Sequence, residues 1–442
     1  MSPLPIQPLS PLDGRYRPAV HALGEHLSEA GLNRARVLVE VEWLLTLTDR
    51  RLFGSEPLSA ENARALRAFA ADFGQDEIDR LATLEATTRH DVKAVEYLVR
   101  EKLTELGLTH VAELTHFACT SEDVNNLSYA LTVRAAVTQV WLPRFRDVIA
   151  SLRRWAEETR SQPMLAHTHG QPATPTTVGK EFAVVAHRLE RQLARIEATE
   201  YLGKFSGATG TFSAHLAADP DQDWPAISRE FVTHLGLVWN PLTTQIESHD
   251  WQAELFQAVA HANRILHNFA TDAWTYISMG YFSQVPQAGA TGSSTMPHKI
   301  NPIRFENAEA NLELSCALLD SLASTLVTSR RSATSPTRRH SATSASPSAT
   351  RSSPSTTSTA ASASSPSTLR RWPPTSTATG RFSARRSRRS SAPRLPRVAA
   401  RSRTPTRCSR SSPADTASAR PSSSRSSMDS TSAPTPRSAS RR

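Results

Sequence analysis

Three cysteines, Cys119, Cys316 and Cys408, are all that this 442-residue chain carries, and no two of them form a Cys-x-x-Cys pair. So few, so scattered, they exclude a disulfide framework and a thiolate zinc site, and they fit a reducing compartment. Long apolar runs are equally scarce. The opening MSPLPIQPLSPLDGRY has no basic segment followed by an apolar one, and no later stretch reaches the uninterrupted apolar length that a bilayer demands. We therefore expect neither a secretion signal nor a membrane anchor, and a cytoplasmic location.

The most informative absence is local. After Thr328 the chain contains no Lys, Glu, Gln, Asn, Ile or Tyr. Of the 51 basic and 41 acidic residues, 23 arginines and two aspartates (Asp415, Asp429) fall in residues 329–442, a net of +21; the 28 basic and 39 acidic residues left in front give −11. The sequence pI near 10 thus belongs to the tail alone. A segment of Ser, Thr, Ala, Pro and Arg has little apolar surface to offset its ordering entropy, so residues 329–442 are expected to be disordered and of low complexity. Charge alone would let such a tail bind nucleic acid through phosphates. The residue types favour another origin. All but eight of these 114 residues are types whose codons carry C or G at the second base. In a GC-rich gene that bias marks the third base, so the tail reads as a frame displaced by one position. Codons permitted for Ser332 to Ser346, read one base earlier, can spell QRDLTDSTALRNIGV, a capped amphipathic helix.

In residues 1–328 the apolar residues recur at helical spacing. Leu127, Leu131, Val137, Trp141, Phe145, Val148, Leu152 and Trp155 mark one stripe of a helix of about 35 residues. Val178 to Ile196, Leu255 to Ile277 and Leu312 to Leu326 repeat the pattern. Stripes this long bury best against one another, which predicts an all-α fold with a long central helix bundle over 116–328. Before residue 115 the helices read as shorter, punctuated by turn signals at Pro11 to Gly14, Gly54 to Pro57 and Gly107, and suggest a small helical N-terminal domain over 1–115.

Polar connections between these helices concentrate chemistry. Gly292-Ser-Ser-Thr-Met-Pro-His-Lys-Ile-Asn-Pro302 offers hydroxyls, an ammonium and backbone N–H groups that could close over a carboxylate or an enolate-like intermediate. Thr168-His-Gly-Gln-Pro-Ala-Thr174 sets His169, a group suited to proton transfer near neutrality, just before a long helix. Thr120-Ser-Glu-Asp-Val-Asn125 serves both as a helix N-cap and as an anion-binding helix start. Arg89-His-Asp-Val-Lys93 lies in a helical pattern whose exposed face could carry the same charges without function. Gly203-Lys-Phe-Ser-Gly-Ala-Thr-Gly210 imitates a phosphate loop but lacks the preceding strand and the spacing, so nucleoside triphosphate binding is rejected.

The combination resembles the fumarase/aspartase superfamily through GSSTMPHKINP. DGRY at Asp13 to Tyr16, HDVKAVEY at His90 to Tyr97, HFACTSEDVNNL at His116 to Leu127, THGQPATP, and TTQIE at Thr243 to Glu247 are similar to the adenylosuccinate lyase family in its bacterial long form. The likeness runs over residues 8–330 and then stops. That family continues from V-x-S-R into W-Q-R-D-L-T-D-S-T, the string the displaced frame recovers. The resemblance implies elimination of fumarate from adenylosuccinate, giving AMP, and from succinylaminoimidazole carboxamide ribotide, without metal or cofactor. It implies Ser293 as base and His169 as acid. Lys299 and Asn301 are implied at the succinyl carboxylate and Arg15 and Tyr16 at the phosphate. His90, Asp91, Thr120, Ser121 and Gln245 fall to the nucleotide and succinyl groups, and Ser294 and Asn307 to the remainder of the site. Arg89 stands where the family commonly has Asn. Expected partners are purine nucleotide substrates and three further copies in a homotetramer, with neither membrane nor nucleic acid. A sister lyase acting on argininosuccinate, fumarate or aspartate would share GSSTMPHKINP but not the other motifs; a nucleic-acid-binding protein would use the tail.

Overall fold

The computed structural model describes residues 10–12, 14–284, 296 and 299–328. The expected disorder of 329–442, together with Ser293, Ser294 and Asp13, falls outside them.

Five helices come first: α1 Arg17–Leu27, α2 Glu29–Asp49, α3 Ala60–Ala71, α4 Gln75–Thr88 and α5 Asp91–Glu105. Gly54 and Gly107 take left-handed backbone at φ 71°, so these turn signals act as read. One expectation fails: α2, with 21 residues, is as long as a bundle helix. Its apolar residues point to two sides. Val37, Val41, Leu44 and Leu45 join Leu66, Leu81, Val95, Val99 and Leu103 in one core, whereas Val39, Trp43 and Leu47 belong to the other. A helix buried all round has no single stripe, which is why periodicity understated it.

The second core is built on long helices. α6 Ser121–Ala135 passes through a widened π turn, Ala136–Trp141, into α7 Leu142–Glu158, making 38 continuous helical residues. Pro143 follows that turn, and the Leu142 N–H reaches back to the Val137 carbonyl, which leaves room for a proline that would otherwise crowd the preceding turn. α8 Val178–Glu197 returns along α7, since Arg146 pairs with Glu197 and Arg153 with Glu190. After the short α9 Ser213–Ala218 and α10 Trp224–His234, the pair α11 Asp250–Ser278 and α12 Ile303–Leu326 runs antiparallel. Arg264–Asp320, His267–Glu313 and Trp274–Glu306 contacts descend on one helix as they climb on the other. Phe145, Leu152, Leu189, Ala260, Leu266, Leu312 and Leu319 lie at the centre, and each buries a side chain worth about 1.5–3 kcal/mol when it is Leu or Phe.

Residues 162–175, read from sequence as a loop, instead form a hairpin. β1 Pro163–Thr168 pairs antiparallel with β2 Gln171–Thr177, closed by His169 and Gly170 at φ 54° and 73°. Two positive φ values in a two-residue connection are the signature of a type I′ turn. Pro172 and Pro175 disguised the strand; they are tolerated because a two-stranded ribbon has only edges. A second small sheet pairs β3 Leu202–Gly203 with β4 Val238–Trp239 in parallel. These four short strands leave the fold all-α in class. Among the described residues no helix is long and apolar enough to cross a membrane.

Candidate active site

Two helix starts, those of α5 and α6, meet and bring five of the expected residues together. His90 N-caps α5, its Nδ1 accepting from the Lys93 N–H at 3.2 Å, and its Nε2 lies 3.4 Å from Ser121 Oγ. Asp91 follows and accepts from Arg36 Nη2 at 2.7 Å; Arg36, almost wholly buried, also donates through Nε to Asn125 at 2.9 Å. Burial pushes the Asp91 carboxyl up, but the Arg36 guanidinium outweighs it and holds the group below the ordinary range. Thr120 N-caps α6, and its Oγ1 accepts from Gln245 Nε2 at 3.4 Å. His90, Asp91, Thr120, Ser121 and Gln245 thus form one half-exposed cluster of donors and acceptors at the two helix starts, called the recess below, suited to a polar substrate with anionic groups.

A second pair joins the two ends of the described chain. Asn307 on α12 donates to the Tyr16 hydroxyl at 3.0 Å, and Arg15 stands exposed beside it in sequence. His169 occupies the exposed tip of the hairpin, in a left-handed conformation unusual for a side-chain-bearing residue. Lys299 is exposed and Asn301 half-buried just before α12. The described hydrogen bonds therefore assemble parts of a site on separate segments, not one closed constellation. Arg89 is exposed at the left-handed C-cap of α4, φ 54°.

Beneath the recess lie charged residues that sequence reasoning did not assign. Asp123, inaccessible to solvent, takes the Thr120 N–H at 2.8 Å, the Ser206 N–H at 3.0 Å and the Gly207 N–H at 3.1 Å, and sits 2.8 Å from Lys204 Nζ. Lys204, equally buried, also donates to the Gly207 carbonyl at 2.8 Å, and Asn126 holds both its backbone N–H and C=O. The ammonium is consumed internally, so Gly203–Gly210 is a structural strap and no phosphate loop. His116 at φ 56° meets the buried Glu40 through its ring at 2.6 Å and its N–H at 3.0 Å. Burial lowers the affinity of that imidazole for a proton, yet Glu40 prevails and raises it above its ordinary value. A local signal for two of these existed: Asp123 stands at the capping-box position after Thr120, and His116 opens the same motif. Nothing in the local pattern links Lys204 or Glu40 to them.

A family model described as Lyase matches residues 14–315. The adenylosuccinate lyase of Escherichia coli (strain K12) is 51% identical over 324 residues, covering 73% of this chain and 71% of that protein. The adenylosuccinate lyase of Vibrio cholerae is 50% identical over 325 residues with the same coverage of both chains. Among solved structures, the fumarate lyase from Mesorhizobium sp. BNC1 shares the fold at a TM-score of 0.58 with 20% identity, over 77% of this chain and 73% of that one. The β-carboxy-cis,cis-muconate cycloisomerase from Acinetobacter calcoaceticus gives 0.56 with 18% identity, over 78% and 74%.

Proposed function

This chain belongs to the adenylosuccinate lyase family, and on that premise we propose that its fold is built to eliminate fumarate from adenylosuccinate and from succinylaminoimidazole carboxamide ribotide. The observation that carries the reading is the convergence of His90, Ser121, Thr120 and Gln245 at the joined starts of α5 and α6, where a nucleotide's polar groups and the succinyl oxygens would find donors. The reaction breaks a C–N bond. Ser293 removes the proton from the carbon beside a carboxylate, the electron pair forms the C=C bond of fumarate, and the bond to nitrogen opens as His169 supplies a proton to the leaving amine. Lys299 and Asn301 bind the carboxylate whose charge grows in the transition state, the Gly-Ser-Ser backbone with Lys299 stabilises the Ser293 alkoxide, and Ser294 belongs to the remainder of the site. Arg15, Tyr16 and Asn307 take the phosphate end, with Tyr16 already oriented by Asn307. Exposure of His169 on a hairpin tip, apart from the His90 recess in sequence, supports a site completed by other copies in a homotetramer. A sister lyase is disfavoured by the relatives' names and by the HDVKAVEY and TTQIE motifs.

We also propose the division 1–115 and 116–328, supported by the two apolar cores, and a cytoplasmic location, supported by the low cysteine content. Residues 329–442 we read as a displaced frame. The composition change there supports it, as does the match to the Escherichia coli relative, which takes in 324 residues and 71% of that protein. Lyase activity then belongs to the chain with its frame restored, because the segment beginning QRDLTDST is absent from the chain as written. The test of the site is kinetic. In the restored chain His90→Ala and Gln245→Ala are expected to raise KM for adenylosuccinate by about 10-fold or more, the loss of one hydrogen bond to a charged group. Unchanged KM in both variants would remove the recess from the site.

A further inference from the structure

We propose that His249 is a positioning residue, its ring tying the segment that carries Gln245 to the start of α6 that carries Thr120 and Ser121; the proposal rests on the reading of that recess as the nucleotide site. His249 is the N-cap of α11, held at φ 59°, and only 1% of its surface is exposed. Its Nε2 lies 3.5 Å from Glu122 Oε1, the residue after Ser121 on α6. Its Nδ1 lies 3.6 Å from Glu247 Oε2, two residues after Gln245. Glu247 is itself inaccessible, accepting from the His249 N–H at 2.7 Å and from Asn240 Nδ2 at 2.9 Å, so the Asn240–His249 segment is closed on itself; its imidazole then faces α6 at ion-pair distance, with neither ring nitrogen hydrogen-bonded.

The charge count decides what the ring must be. Glu122 and Glu247 face it from opposite sides, with Asp250 beside it at the head of α11. Glu247 already accepts from two N–H groups, whereas Glu122 Oε1 has no hydrogen-bond donor, so a neutral ring leaves the pair of buried carboxylates without a positive charge; an imidazolium between them supplies one. Burial works against the charged ring, but Glu122, then Glu247 and Asp250, outweigh it and raise its proton affinity above the ordinary value. A group raised in this way contributes fully below the unfolded value of about 6.5, and its contribution is lost as pH climbs through the folded value. The clamp therefore holds at acid pH and releases as pH rises through the raised value, freeing Gln245 from Thr120.

Hydrogen exchange read by mass spectrometry on the full chain tests this, with rates corrected for the intrinsic effect of pH. The two segments followed are 118–126 and 240–250. His249→Asn suits the left-handed backbone but cannot span both carboxylates. It is expected to lose protection about 10-fold or more in both segments together, the scale of a buried carboxylate left without its counter-charge, whereas Ser248→Ala changes neither. In the unmodified chain, protection of both segments should fall together as pH rises through the imidazole's titration, and the variant should show no such step. Loss confined to 240–250, or a pH-independent unmodified chain, overturns the proposal. If the variant does not fold, the 15N shifts of His249 in the labelled unmodified chain, told apart from those of His116 by a His116→Gln variant, decide instead: a His249 ring that stays protonated on both nitrogens above its ordinary value of about 6.5 supports the clamp, and one already neutral there refutes it. No turnover is measured, so absence of lyase activity leaves the result intact.

Discussion

Asp123→Ala probes the strap under the recess. The carboxylate removed is fully buried, and it serves Lys204 Nζ at 2.8 Å and the backbone N–H groups of Thr120, Ser206 and Gly207. Afterwards Lys204 keeps only the Gly207 carbonyl, and three N–H groups are left without an acceptor. Removing one partner of a buried pair typically costs about 3–5 kcal/mol. Lys204→Met leaves the carboxylate with its three N–H donors, so the loss should be nearer about 1–3 kcal/mol. With a urea slope of about 3 kcal/mol/M, the aspartate variant should unfold at a midpoint lower by about 1–1.7 M and the lysine variant by under about 1 M. Urea titration followed by tryptophan fluorescence reports this, since Trp43 and Trp224 lie in the same core as Phe205 of the strap. Equal losses in the two variants would refute the reasoning, because they would mean that the ion pair, and not backbone scaffolding, carries the stability.

His215 sits 1% exposed among Trp43, Phe205, Phe212 and Trp224, with neither ring nitrogen hydrogen-bonded, and burial lowers its pKa to about 4. A depressed histidine stabilises the fold above the unfolded value of about 6.5 and withdraws that contribution as pH falls toward 4; His215→Phe should flatten this limb of the stability curve measured by urea unfolding. Gly210→Ala should loosen the Thr243–Gln245 segment, because Gly210 holds φ 74° and its added Cβ would clash with the Thr243 carbonyl oxygen; hydrogen exchange of 240–250 would register it, and an unchanged rate would contradict the packing. In the frame-restored chain, His169→Ala and Ser293→Ala should each lower kcat by about 10²- to 10⁴-fold with little change in KM, as measured by fumarate release. Resequencing the gene across the codons for Arg330 and Arg331 should reveal a one-base displacement.

The long helices were legible because each has one apolar stripe: Leu127 to Trp155, Val178 to Ile196 and Leu255 to Ile277 all lie in continuous helix. α2 was not, since Val37 and Val39 face different cores. The hairpin escaped because Pro172 and Pro175 suppress a strand signal that pairing with Leu165 and His167 nonetheless supports. His90, Asp91, Thr120, Ser121 and Gln245 came from motifs, yet their meeting depends on contacts between residues 31 and 125 positions apart, which no local pattern encodes. The same holds for Lys204 beneath Asp123 and for Glu122 opposite His249. Buried charge networks join distant segments, and only the fold displays them.

Fumarate release from adenylosuccinate, measured side by side for the chain as written and for the chain with its frame restored from residue 331, is the most direct test. Steady turnover by the restored chain, with none from the chain as written, is the predicted result. Turnover by residues 1–442 as they stand, or a restored chain that binds adenylosuccinate without releasing fumarate, would contradict it.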